Sequence, residues 1–305
     1  MRVAVLLLWC ALAASASTFY VAVGGLGGEP DYEQRFSMWV REVEMALKPA
    51  GAEAKVRTIE SATRDQVREA LDWVAGEAKP QDAFVLMLIG HGTFDDHDYK
   101  LNLRGPDLTA AELAQLLDRI PAGRQLVVNM TSASGGSLEV LRKANRIVIC
   151  ATKTGTEKNA TIFARYWVEA LRDPAADTDK NQTVSALEAF RYADRKTAAA
   201  YETQKRLATE HAILEDTGKG EGVRAPSPQN GEGLLAASFP VVRLGTAAQA
   251  ASDPAKRKLL ARKEQLEQEI DRLKYQKAAI PADEYKKQLS ALLLELARTQ
   301  EELER

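Results

Sequence analysis

One of the three histidines in this 305-residue chain, His91, stands where an α/β sheet does its chemistry. Six consecutive apolar residues, Phe84-Val-Leu-Met-Leu-Ile89, end abruptly in Gly90-His91-Gly92. An apolar run this short, bounded by glycine, reads as a strand buried on both faces of a parallel sheet. Ligands and catalytic groups sit at the carboxyl ends of such strands. An imidazole placed there can take or give a proton near neutral pH, the work of a general base or acid.

A second constellation follows the sheet-forming region. Asp177, Asp179, Asn181, Thr183, Ser185 and Glu188 fall in register with the oxygen ligands of an EF-hand loop, at its positions 1, 3, 5, 7, 9 and 12. Asp177, Asp179 and Asn181 would give side-chain oxygens and Thr183 its backbone carbonyl. Ser185 would act directly or through water, and Glu188 would supply two oxygens from the first turn of the exiting helix. Val184 takes the aliphatic position of such loops. Calcium, a hard cation that wants many oxygens, is therefore the expected ion. Gln182 stands where the sharp turn prefers glycine, so weakened affinity is expected. A lone hand lacks the paired partner of sensor proteins and fits a structural site better than a switch. The plainer alternative is a polar interhelix loop in which Ser185 caps the next helix.

Other chemistries find little support. His97 and His211 add no H-x-x-x-H or C-x-x-C spacing, which argues against zinc. The glycines 24, 25, 27 and 28 miss the G-x-G-x-x-G spacing of a dinucleotide loop and read as a flexible loop above the sheet. A net charge of -2 with no basic arm or patch argues against a nucleic-acid partner. Of the two cysteines, Cys150 closes an apolar run and reads as a packing thiol rather than a nucleophile.

The elements that must position His91 follow one rhythm. Strands are expected at 18–23, 54–59, 84–89, 99–103, 125–129 and 146–151. Helices are expected at 32–47, from the Thr63 cap to about Gly76, at 110–120, 138–143 and 161–172, and from Ser185 to about Glu202. Alternating strands and helices mean βαβ crossovers and a mostly parallel sheet with helices on both faces.

Ile89-Gly90-His91-Gly92 at one strand end, with Thr131-Ser132-Ala133-Ser134-Gly135 at the end of the next long strand, resembles the caspase–legumain superfamily of cysteine peptidases. The resemblance covers roughly residues 18–172 and implies a caspase-like three-layer α/β/α sandwich. In that family the histidine is the general acid or base, and a cysteine closes the later strand as nucleophile. Backbone N–H groups after the histidine and at the nucleophile form the oxyanion hole. Carried onto this sequence, the resemblance assigns His91 as base, Gly92 to the oxyanion hole and position 132 to the nucleophile. The residue there is Ser132. A serine hydroxyl needs a well-aligned base, and usually a third group orienting that base, where a thiol is already partly ionised. Asp95, Asp96 and Asp98 are the acids nearest His91 in sequence. The expected function is an exported peptidase homologue that is catalytically degenerate. The alternative is an active endopeptidase using a His91–Ser132 dyad. A peptide or protein would be the ligand or substrate.

The chain ends address location and assembly. Residues 1–16 carry a charged start, an apolar run too short to span a bilayer and a small-residue cleavage motif at Ala14-Ser15-Ala16, the pattern of a signal peptide. Export to a periplasmic or extracellular space is expected, with no membrane span after cleavage. The remaining plan is a caspase-like domain at 17–172, the EF-hand-like loop and its helix at 173–216, a linker or surface loop at 217–250, and a coiled-coil-type helical hairpin at 251–305. The hairpin's leucines recur at heptad-like spacing on both sides of Pro281. Two short helices bury little alone, so this stripe is expected to pack on the main domain or to mediate self-association or contact with a protein partner.

Overall fold

A computed structural model describes residues 16–48 and 53–305. The proposed leader at 1–16 therefore lies, except for Ala16, outside the described residues, as does the expected helix stop at 49–51.

The sheet is built from β1 (Thr18–Gly24), β2 (Ala54–Ile59), β3 (Ala83–Ile89), β7 (Arg124–Asn129), β8 (Arg146–Cys150) and β10 (Ile213–Glu215). Their spatial order is β10-β8-β7-β3-β1-β2, all parallel except β10. The expected buried strand, β3, lies in the interior of that order, and all seven of its residues are buried. A small sheet of β4 (Gly92–Phe94), β5 (Tyr99–Leu101) and β6 (Leu108–Thr109) stands beside the carboxyl end of β3.

Alternation along the strands divides the core into two layers, as a period of two requires. Tyr20, Val85, Met87, Ile89, Val128 and Ile149 face α1 (Pro30–Leu47), α5 (Phe163–Ala170) and α6 (Ala186–Thr203), meeting Phe36, Trp39, Trp167 and Phe190. Phe19, Val21, Phe84, Leu86, Leu88 and Val148 face α2 (Arg64–Glu77) and α3 (Ala110–Asp118), meeting Val67, Leu71, Val74 and Leu113. The architecture is a three-layer α/β/α sandwich. Helix starts follow local chemistry: Thr63 with Gln66, and Thr109 with Glu112, form reciprocal capping boxes. Pro30 opens α1, where a missing N–H costs nothing.

The region expected as a linker, 217–250, is structured and packed. It carries α7 (Leu234–Ala237), β11 (Pro240–Arg243) and the start of α8 (Gly245–Ser252). Phe239 and Val241 are fully buried, and β11 pairs antiparallel with β9 (Thr183–Ser185). Its glycine- and proline-rich composition carries no periodic signal, because the partners that order it lie about fifty residues away.

The hairpin is α9 (Arg257–Tyr275) packed against α10 (Ala282–Glu304). Leu266, Ile270 and Leu273 of α9 are buried. The helix is tied to the sandwich by a two-bond pair between Arg243 and Glu264 (2.6 and 2.9 Å) and by Arg257 to Glu53 (2.5 Å). Among the described residues no helix is long and apolar enough to cross a membrane.

Candidate active site

Strand register brings the chemistry to one edge of the sheet. Gly24 pairs with Ile89, Leu88 with Asn129, and Asn129 with Cys150. The carboxyl ends of β1, β3, β7 and β8 are therefore level. The glycine loop, His91, the Ser132 turn and Ala151 all emerge there. Backbone bonds lock this edge: Gly25 N–H to the Ile89 carbonyl (2.8 Å), Met130 to Leu88 (2.9 Å) and Ala151 to Asn129 (2.9 Å).

The glycine loop, expected to be flexible, packs closely against neighbouring backbone. A Cβ on Gly25 would come within 2.6 Å of the Asn102 carbonyl, and one on Gly27 within 2.3 Å of the Glu33 nitrogen. These positions must be glycine for the chain to pass. The half-buried His91 ring meets Tyr32 and Phe36 of α1 edge-on, with centroids 4.7 and 5.0 Å away. Burial pushes its pKa down, against the opposing pull of the Gly27 carbonyl and the Glu29 charge, so the neutral imidazole is favoured.

Ser132 lies on the neighbouring turn and is engaged elsewhere. Its hydroxyl donates to the Gly92 carbonyl (3.0 Å) and accepts from the Gly92 N–H (3.1 Å). The residue is only 2% exposed. Among the described residues no hydrogen bond joins His91 to Ser132. The Gly92 N–H, which the family resemblance assigns to the oxyanion hole, is the very donor that Ser132 occupies. Gly92 itself is sterically required: a Cβ there would stand 2.5 Å from the Tyr99 ring and 2.6 Å from the Ser132 carbonyl oxygen. The structure thus places His91, Gly92 and Ser132 together through the backbone, without a side-chain link between base and nucleophile position.

Of the acids near His91 in sequence, Asp95 is engaged elsewhere. Asp95 accepts from the Asp98 and His97 N–H groups and from Lys100, closing the turn between β4 and β5. Those bonds, led by the one from Asp98, hold its carboxyl at about 2. Cys150 is fully buried, and its thiol is pushed up to about 12 by burial, consistent with packing rather than attack.

Two groups of residues were not legible beforehand. Beneath the Ser132 turn, Tyr99 Oη lies 2.6 Å from Thr131 Oγ1 and donates to Asn129 Oδ1 at 3.2 Å, while Asn129 Nδ2 donates to Ser137 at 3.0 Å. This buried polar network fixes the turn from below. Above it, the loop after β8 crosses the turn, and the Glu157 carbonyl accepts from the Ala133 N–H (2.8 Å). The Glu157 carboxylate binds His211 Nδ1 at 2.5 Å. A carboxylate–imidazole pair does exist at this edge, but on His211 rather than on His91. Its two members lie 54 residues apart in the chain, and no sequence spacing links them.

The EF-hand-like residues also converge. One carboxylate oxygen from each of Asp177, Asp179 and Glu188 lies within 4.8 Å of the others. Asp177 Oδ2 accepts from the Gln182 N–H (3.0 Å), and Asp179 Oδ1 from the Asn181 N–H (3.0 Å). The Asn181 side-chain oxygen accepts from the Thr183 N–H (2.7 Å). Ser185 caps α6 in a capping box with Glu188, so the plainer N-cap reading of Ser185 describes the same geometry. Gln182 takes φ of +69°, the left-handed conformation expected of the position normally held by glycine. Asp179 is exposed as a residue, yet its carboxyl lies against the loop and is pushed up to about 6, first by desolvation and then by Glu188.

No family model matches the sequence, and no curated protein matches it. Among solved structures the chain is similar to the initiator caspase Dronc of Drosophila, with 12% identity over 68% of this chain and 82% of that one, TM-score 0.46. It is similar to a Geobacter sulfurreducens protein, with 14% identity over 75% of this chain and 100% of that one, TM-score 0.48. It is also similar to caspase-1 of Spodoptera frugiperda, with 13% identity over 67% of this chain and 86% of that one, TM-score 0.46.

Proposed function

We propose that this protein is an exported, non-hydrolytic homologue of the caspase–legumain peptidases, a peptide- or protein-binding module that keeps the histidine and uses the nucleophile position as a structural bond. One observation carries this reading: the Ser132 hydroxyl is buried and doubly bonded to Gly92. Hydrolysis by serine needs its hydroxyl within reach of the base and the oxyanion donors free. Here the hydroxyl faces Gly92 and occupies one of those donors. Export is supported by the leader pattern at 1–16, and N-terminal sequencing of the mature protein, expected to begin near Ser17, tests it.

A hydrolytic reading draws on a separate observation: burial pushes the pKa of the half-buried His91 down, which favours the neutral form that a general base requires. To act, it would need Ser132 to break both bonds to Gly92. A fluorophosphonate probe distinguishes the two. No labelling of the folded protein, and no cleavage of a peptide library, is the expected outcome. Labelling that disappears in Ser132→Ala overturns the non-hydrolytic reading.

A further inference from the structure

The loop after α5 holds an orphaned buried charge. Asp177 is 5% exposed, its Oδ2 is taken by the Gln182 N–H, and its Oδ1 has no hydrogen-bond partner. Burying an unpaired carboxylate oxygen is costly, and a bound cation is the usual remedy. Among the described residues, no lysine or arginine forms an ion pair with Asp177, Asp179 or Glu188. The neighbouring Lys180 reaches away to the Pro174 carbonyl (3.3 Å).

The surroundings of this loop differ from a paired hand in an informative way. Where a second hand would add a strand beside Thr183–Ser185, β11 is paired instead. The chain then runs from β11 directly into α8 and α9, and these return to the loop. Gln182 Oε1 accepts from the Ala247 N–H (3.1 Å), and the Leu244 N–H donates to the Gln182 carbonyl (2.8 Å). Lys263 of α9 donates to the Asn181 carbonyl at 2.9 Å. The loop's turn residues are thus also the docking points of the C-terminal segment.

We propose that Asp177, Asp179, Asn181, the Thr183 carbonyl and Glu188 bind one calcium ion, and that the ion fastens α8 and α9 to the sandwich through Gln182 and Asn181. The unpartnered Asp177 Oδ1 is the ligand that the fold has left without any other use. Calcium suits the site better than magnesium. The donors are oxygens on a flexible loop, which calcium tolerates, whereas magnesium demands near-ideal octahedral geometry and gives up water reluctantly.

The test uses the whole mature chain stripped with EGTA. Calorimetric titration with CaCl2 should show one equivalent bound, with a dissociation constant between about 10 µM and 1 mM, as for isolated or weakened hands. MgCl2 should bind at least about tenfold more weakly. Asp177→Asn removes the orphaned charge and keeps the shape, and it should weaken calcium at least tenfold while the circular dichroism spectrum stays unchanged. Asp179→Asn, whose side chain is less buried, provides the same readout should Asp177→Asn fail to fold. Hydrogen exchange should slow on calcium addition at 244–263 as well as at 177–188. Wild-type protein that gives no heat with calcium, or Asp177→Asn and Asp179→Asn proteins that bind it unchanged, overturns the site. Calcium binding with no added protection at 244–263 overturns the fastening role.

Discussion

Replacing Ser132 with alanine separates a structural hydroxyl from a catalytic one by the sign of its effect on stability. The hydroxyl satisfies both polar groups of the Gly92 peptide positions, accepting at 3.1 Å and donating at 3.0 Å, in a site 2% exposed. Its removal strands a buried N–H and a buried carbonyl. Each stranded group costs about 1–3 kcal/mol. Because one small cavity is shared by both, the combined loss is set at roughly 2–4 kcal/mol. For a domain of this size, each kcal/mol lowers Tm by about 2–4 °C, so a fall of roughly 5–15 °C is expected. Urea unfolding at neutral pH should show a lower midpoint at unchanged slope. A serine held poised for chemistry behaves in the opposite way, since active-site groups are commonly kept at the expense of stability. A Ser132→Ala protein as stable as the parent, or more so, refutes the account of a locked hydroxyl.

Three further outcomes follow from the same geometry. Gly92→Ala forces a methyl to within 2.5 Å of the Tyr99 ring and 2.6 Å of a backbone oxygen. It should cost about 1–3 kcal/mol or more by urea unfolding, and a neutral effect would contradict the packing. Glu210, buried at the start of α5, accepts from the Ile162 and Phe163 N–H groups and from Tyr201, and burial nevertheless pushes its carboxyl up to about 7 from 4.5. The folded state then holds a proton that the unfolded chain has released. The contribution of Glu210 to stability should be fullest below about pH 4.5 and fall by at most about 3 kcal/mol as pH rises to about 7. Glu210→Gln should flatten that slope, and a wild-type urea midpoint indifferent to pH across this window would count against it. Glu264→Ala strips the partner from the largely buried Arg243. A loss of about 1–3 kcal/mol and faster tryptic nicking near Lys256 are expected; unchanged proteolysis would mean that α9 is held by other contacts.

Much of the fold was legible because its signals are local. The Phe84–Ile89 run, the Thr63 and Thr109 capping boxes and the strand–helix rhythm each act within a few residues, and each element lies close to its expected span. The convergence of Asp177, Asp179 and Glu188 is local for the same reason, since all three sit within twelve consecutive residues. The 217–250 segment was not legible. Its order comes from β9, whose pairing with β11 joins segments far apart in sequence. The Glu157–His211 pair was hidden for the same reason: its two members meet only because β8 and β10 lie side by side.

The sequence by itself determined which groups are present: an imidazole at a strand end, a hydroxyl where the resemblance puts a thiol, and a register of oxygens suited to a cation. Only the tertiary structure decided what those groups face. Ser132 Oγ has two hydrogen-bonding roles to fill. The nearest backbone that can fill both is Gly92, brought beside it by the pairing of β3 with β7. His91 is held edge-on to two rings of α1, Tyr32 and Phe36, more than fifty residues away in the chain. Side-chain direction depends on such non-local neighbours. A catalytic residue type can therefore be read from the chain, whereas its engagement in chemistry is settled by packing.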